Sequence, residues 1–259
     1  MDTARLLLLL STLAFVGAVA QALAALRAGR WQESRWHLLP MALGFALQTG
    51  FLWLRGQQHA RCPLTNIFEV FIFIGWSIVL LYFLVGTAYR LSLLGVFTAP
   101  LLVLLQTVAL IASSAWDQAV TDHEKATAAG ELHKTLALVG YAAFALACIT
   151  GVMFLLQERM LKRHRINALF HQLPPIHDLS RSIVRMILIG VVLLGIALGV
   201  SFQLKPVTSS KMIFAWAVWL LYTAALLLIW LRKLSARHIA IAAIAGFCVV
   251  FISIWIVAK

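Results

Sequence analysis

The chain has 259 residues, 63% of them hydrophobic and 12% charged, where a soluble domain is about half apolar and about one quarter charged. That composition excludes a single water-bounded core and predicts an all-α, polytopic membrane helix bundle. The formal net charge of +12 does not call for nucleic acid, because Lys and Arg gather in particular loops, as membrane topology demands.

Segment one runs from about Leu6 to Leu26, an apolar run too long for a signal-peptide core, and reads as a retained helix. A loop with Arg27, Arg30 and Arg35 follows, then segment two from about Trp36 to Leu54, with Gln48 near its middle. The link RGQQHARCPLTN leads to segment three, about Ile67 to Tyr89, with Glu69 near its start, and segment four spans about Leu91 to Ala112. A polar, mildly acidic loop, Ser113 to Leu132, precedes segment five. Its uncharged stretch from Thr135 to Gln157 is roughly 35 Å of helix, enough to cross a bilayer. His133 stands at its entrance, and Glu158, Arg159, Lys162, Arg163 and Arg165 at its exit. Pro174 and Pro175 stop any helix in the basic loop that follows, with Asp178 and Ser180 as caps for the next. Segments six, seven and eight span about Ile183 to Leu204, Met212 to Leu231 and Ile239 to Val257.

About eight transmembrane helices therefore form one integral-membrane domain over 1–259. Lys and Arg concentrate in the loops after segments one, five and seven, which places those loops in the cytoplasm and both termini, the acidic loop and His133 outside, on the periplasmic face. Gly195 and Gly199, and Gly140 with Ala143 and Ala147, are spaced for close helix approach. Trp36, Trp53, Trp116 and Trp230 fall near interfaces. Cys148 and Cys248 read as small core fillers, and Cys62 lies alone in a loop without a Cys-x-x-Cys partner.

Ionisable residues inside spans are costly without a partner. Glu69 reads as a proton or cation site, as an arginine's partner, or as an interfacial acid favoured by the helix dipole. Gln48 reads as an amide bonded to a neighbouring helix. Of the eight histidines, His164, His171 and His177 sit in the basic loop without zinc spacing, His37 and His238 begin cytoplasmic ends of segments, and His59, His123 and His133 form the outward set. A neutral imidazole can ligate haem iron; a histidine at a helix start can equally be structural.

Three stretches in order carry a resemblance. CPLTNIFEVFIFIGW from Cys62, LHKTLALVGYAAFALACITGVMFLLQERMLK from Leu132 and LPPIHDLSRSIVRMILIGVVLLGIALG from Leu173 resemble motifs of the cytochrome c assembly superfamily (CcsA/CcmC/HemX), nearest its compact HemX- and YpjD-like branch. The likeness is strongest over 36–257. It implies a haem-handling membrane protein of c-type cytochrome biogenesis in the cytoplasmic membrane, not an enzyme. Haem would be presented at the outer face, to apocytochrome c, beside a second biogenesis membrane subunit. It makes His133 the first external axial ligand. The expected second histidine is missing at the outer end of segment eight, which closes with Trp255, and the tryptophan-rich segment is replaced by SFQLKPVTSSKMIFAW, where Trp216 alone matches. His59 or His123 would then supply the second ligand, and an expected intramembrane histidine corresponds to Gln48. The resemblance also implies an alternative, a regulator of haem biosynthesis acting on the level of glutamyl-tRNA reductase. A third reading, from polarity inside the bundle, is a small-molecule transporter lined by Gln48, Glu69 and Arg185.

Overall fold

A computed structural model describes residues 3–27, 38–59, 61–89, 94–112, 117, 127–164, 173–202, 210–231 and 234–257. Among them are eight helices and no strand: α1 (Thr3–Arg27), α2 (Leu38–His59), α3 (Ile67–Tyr89), α4 (Leu94–Ile111), α5 (Ala128–Lys162), α6 (Ile176–Ser201), α7 (Ser210–Trp230) and α8 (Ala236–Val257). Seven are long and apolar enough to cross a membrane, and α8 is apolar over Ala236–Ile252. The chain is a multi-pass membrane protein, and its helices fall into two compact units, α1–α4 and α5–α8.

Helices outlast apolar runs because backbone hydrogen bonds, unlike lipid contact, do not require apolar side chains. α2 continues to His59, α5 begins at Ala128 inside the supposed polar loop, and α6 begins at Ile176. Thr127 caps α5, its Oγ1 accepting from Gly130 N at 3.2 Å. The cap expected of Asp178 or Ser180 is not made. Pro175 occupies that position without a side-chain bond, and its carbonyl accepts from Asp178 N and Leu179 N. Proline's fixed φ suits a helix entrance, so Asp178 falls instead in the first turn, where a negative charge meets the positive end of the dipole. At the far end of α5, His164 takes φ 49°, the left-handed turn that ends a helix.

In the first unit α1 packs on α2 and α4, and α3 joins α2 to α4. In lipid, apolar surface alone does not drive helices together, so packing and polar bonds decide. Ser11 Oγ donates to Gly44 O at 2.9 Å, Gln106 Nε2 donates to Ser11 Oγ at 3.2 Å, and Thr12 Oγ1 donates to Gln106 Oε1 at 2.9 Å. These bonds join α1, α2 and α4. Gly44 allows the Phe15 ring against its backbone; a Cβ there would stand 2.5 Å from a ring carbon.

The second unit is arranged around one stacked pair. Phe144 on α5 and Tyr222 on α7 lie with centroids 3.8 Å apart and planes 6° from parallel. Gly190 on α6 leaves the room for Phe144, and Gly246 on α8 for Tyr222, whose hydroxyl donates to Ala243 O at 3.3 Å. Gly140 approaches the α6 backbone as its spacing predicts, a Cβ there lying 3.2 Å from Gly190 O. Gly199 does not act as a contact: nothing lies within 4 Å of its Cβ position, while Gly195 makes the notch for the Trp219 indole. Cys248 is exposed on α8 rather than a core filler, and Cys148 is half-buried. Trp53 and Trp230 are exposed; Trp36 and Trp116 lie outside the described residues.

Candidate functional site

His133 stands in the second turn of α5, half-buried, and its Nδ1 lies 2.7 Å from Ala197 O on α6. A carbonyl only accepts, so Nδ1 carries the hydrogen, which is the tautomer whose uncharged form has its lone pair on Nε2. Metal-ligating histidines are commonly oriented in this way, by a carbonyl that fixes the tautomer and strengthens the other nitrogen as a ligand. The residue thus fits one axial position on haem iron. The same bond also ties the start of α5 to the end of α6, a structural task that needs no metal.

At this end of the second unit α6 runs into Phe202, whose ring is exposed and 6.0 Å from Trp216; Trp216 meets Trp219 edge-on at 5.8 Å. Trp219 Nε1 donates to Val191 O at 3.1 Å. Trp216 is therefore one member of an aromatic file leading from the helix ends toward the middle of α6. The two second-ligand expectations are not reached: His123 and the side chain of His59 lie outside the described residues. Among the described residues no group of three or more His, Cys, Asp and Glu side chains could hold a metal ion.

The first unit gathers a different set. Asn66 caps α3, its Oδ1 accepting from Glu69 N at 2.8 Å. The Glu69 carboxylate reaches back to Thr65, accepting from its amide at 2.8 Å and its hydroxyl at 2.7 Å, a variant of the capping box. Glu69 is fully buried and also accepts from Arg55 Nε at 3.0 Å. Arg55 in turn pairs with Asp117, which accepts from Arg5 Nη2 at 3.3 Å and from Asn66 Nδ2 at 3.3 Å. Two of the earlier alternatives for Glu69 thus hold together: it is a helix-start acid and an arginine's partner. The network brings the start of α1, the end of α2, the start of α3 and Asp117 to one end of the unit, as alternating spans require. Asp117 and Arg55 escaped sequence reading because loop and helix-end charges carry no periodic signal; the Asn-x-x-Glu spacing was the available clue.

Gln48 bonds across helices as expected. It is fully buried, and Nε2 donates to Ile72 O on α3 at 2.9 Å, while Oε1 has no partner among the described residues. Arg185 is exposed on α6, in the second unit. On α5 and α8 the opposite end of the second unit is also charged: Glu158 pairs with Lys162 at 2.7 Å and Arg237 at 3.7 Å. His164, His177 and His238 are exposed; His37 and His171 lie outside the described residues.

Against this geometry, the comparisons with known proteins converge. The sequence model described as Cytochrome C assembly protein matches residues 64–258, a range that takes in the α3 cap, His133 and the aromatic file. Protein HemX of Brevibacillus brevis is 32% identical over 161 residues, 60% of this chain and 58% of that protein. Protein HemX of Bacillus subtilis (strain 168) is 24% identical over 217 residues, 78% of this chain and 75% of that protein. Cytochrome c biogenesis protein CcsA of Chlorella vulgaris is 29% identical over 108 residues, 41% of this chain and 34% of that protein. The chain thus spans less than two thirds of the Brevibacillus relative's length. Matched over more than half of its own length by the family's sequence model, this multi-pass helical chain belongs to the cytochrome c assembly protein family.

Proposed function

We propose that the protein handles haem in c-type cytochrome biogenesis, with His133 Nε2 as an axial ligand at the outer face of the cytoplasmic membrane. The observation that carries the reading is the His133–Ala197 bond, which presents the ligating nitrogen on a fixed ring. The aromatic file of Phe202, Trp216 and Trp219 supplies apolar, π-bearing surface at the same end. Haem would bring the redox-active iron; the chain's part is to bind, orient and shelter it, and to hold it beside apocytochrome c so that the reactants meet in position. A second membrane subunit with an outer domain is the partner this requires, and no bond of the protein itself is made or broken.

The test uses protein purified in detergent after haem loading. Wild type should show a Soret band, and His133→Ala should lose most of it. His133→Asn separates ligation from structure: its amide can still donate to Ala197 O but ligates iron poorly. It should keep the thermal stability of wild type and lose haem. A His133→Asn protein with undiminished haem refutes the assignment.

A second reading is favoured by the two relatives named HemX: a membrane regulator that sets the level of glutamyl-tRNA reductase, docking through the basic segment Glu158 to Arg181. Cells lacking the protein would then keep every c-type cytochrome and change that enzyme's abundance.

A further inference from the structure

We propose that the exposed stripe of α6 binds an anionic phospholipid, its phosphate on Arg181 and Arg185 and an acyl chain along Leu188, Val192 and Ile196. From Arg181 onward the exposed residues of α6 are Arg181, Arg185, Leu188, Val192, Ile196 and Gly199. Steps of three and four residues keep them on one face of the helix. The opposite face is buried through Ile187, Gly190, Leu194 and Ala197 and packs on α5. Leu188, Val192 and Ile196 are 51%, 50% and 50% exposed, an even apolar track. At its end Gly199 adds no side chain, and nothing lies within 4 Å of its Cβ position.

Along this stripe the chemistry changes as it does along a lipid. Arg181 and Arg185 stand one turn apart, so their guanidinium groups can share one phosphate through forked bonds. Arg185 lies nine residues after Ile176, the first residue of α6, which is about 13 Å along the helix. A cation so far along a lipid-facing stripe is costly in hydrocarbon and reaches back to the headgroup layer on its long stem. The acids at this end do not cancel the charge. Asp178 is in the first turn of α6, and Glu158 on α5 is engaged by Lys162 and Arg237. Arg159 and Arg163 on α5 are exposed as well, and basic sites at the membrane ends of helices select acidic headgroups. A soluble phosphate would use the arginines and leave the apolar track without a role. A zwitterionic lipid would use the track but bring its own cation to the arginines.

The experiment is native mass spectrometry of the full chain in detergent, titrated with dioleoylphosphatidylglycerol or with dioleoylphosphatidylcholine. Wild type should bind the first phosphatidylglycerol about tenfold more tightly than phosphatidylcholine, the preference two arginines give an acidic headgroup. The double variant Arg181→Gln/Arg185→Gln should lose that preference and keep the thermal stability of wild type in phosphatidylcholine. Lys162→Gln should retain the preference, because that lysine is engaged by Glu158. Val192→Ser/Ile196→Ser should weaken both lipids alike, and glycerol phosphate, an anion without chains, should displace neither. A wild type without the preference overturns the site, as does an equal loss in Lys162→Gln, which would make the attraction diffuse. Undiminished binding in Val192→Ser/Ile196→Ser overturns the acyl track, and displacement by glycerol phosphate assigns the arginines to a soluble anion instead. A lipid-free pair of chains that the double arginine variant separates would assign the stripe to a second copy and overturn it too. No haem enters the measurement, so its outcome is separate from that of the haem-handling reading.

Discussion

Glu69 is fully buried, yet its carboxylate accepts from three donors, one of them cationic: Thr65 through amide and hydroxyl, and Arg55 through Nε. Removing its charge leaves Arg55 with Asp117 as its one acidic partner among the described residues. Glu69→Gln should therefore destabilise the protein by about 3 kcal/mol, the low end for a broken buried pair. Arg5→Gln should cost under about 1 kcal/mol, because the Arg5 side chain is 47% exposed and solvent screens its pair. Denaturant midpoints in detergent compare the two, and equal shifts would refute the ranking. At this scale the sequence made Glu69 conspicuous as a charge inside an apolar run. It did not reveal Asp117 as a partner, nor the Ser11–Thr12–Gln106 set, because a lone hydroxyl or amide in an apolar helix looks alike whether it bonds its own turn or another helix. Thr98 and Thr150 do the former, each donating to the carbonyl four residues back.

Among the elements, α6 carries the sharpest contrast. Gly190 faces the Phe144 ring, where a Cβ would stand 2.3 Å from a ring carbon, while Gly199 faces open space. Gly190→Ala should destabilise by about 1–3 kcal/mol through overpacking, and Phe144→Leu in the same chain should recover part of it. Gly199→Ala should be neutral or stabilise by about 0.5–1 kcal/mol through lower unfolded-state entropy. Thermal unfolding of the three variants checks this, and a larger loss at Gly199 contradicts the packing described. Helix number and type were legible because uncharged runs long enough to cross lipid leave little choice. Helix ends were not, since α2, α5 and α6 extend into polar sequence where caps and backbone bonds decide. The Gly195/Gly199 pair misled because spacing identifies small residues on one face without saying which of them meets a neighbour.

For the whole molecule, we propose from the Lys and Arg distribution that α5 starts outside the cell membrane and exits inside. With Cys62, Cys148 and Cys248 replaced, a cysteine at Lys134 should react with an impermeant maleimide on intact cells, and one at Arg163 only after permeabilisation; the reverse pattern inverts the topology. Family membership and the membrane class were readable from ordered motifs and composition. The site was only partly so: His133 stood out, but its carbonyl partner lies on another helix at Ala197, a distance in sequence that no motif spans. The most direct test of the haem-handling account is the content of covalently haem-bearing c-type cytochromes in cells lacking the protein, complemented with wild type or with His133→Asn. The account predicts that the content falls on deletion, returns with wild type and does not return with His133→Asn; undiminished cytochromes in the deletion, or full rescue by His133→Asn, would contradict it.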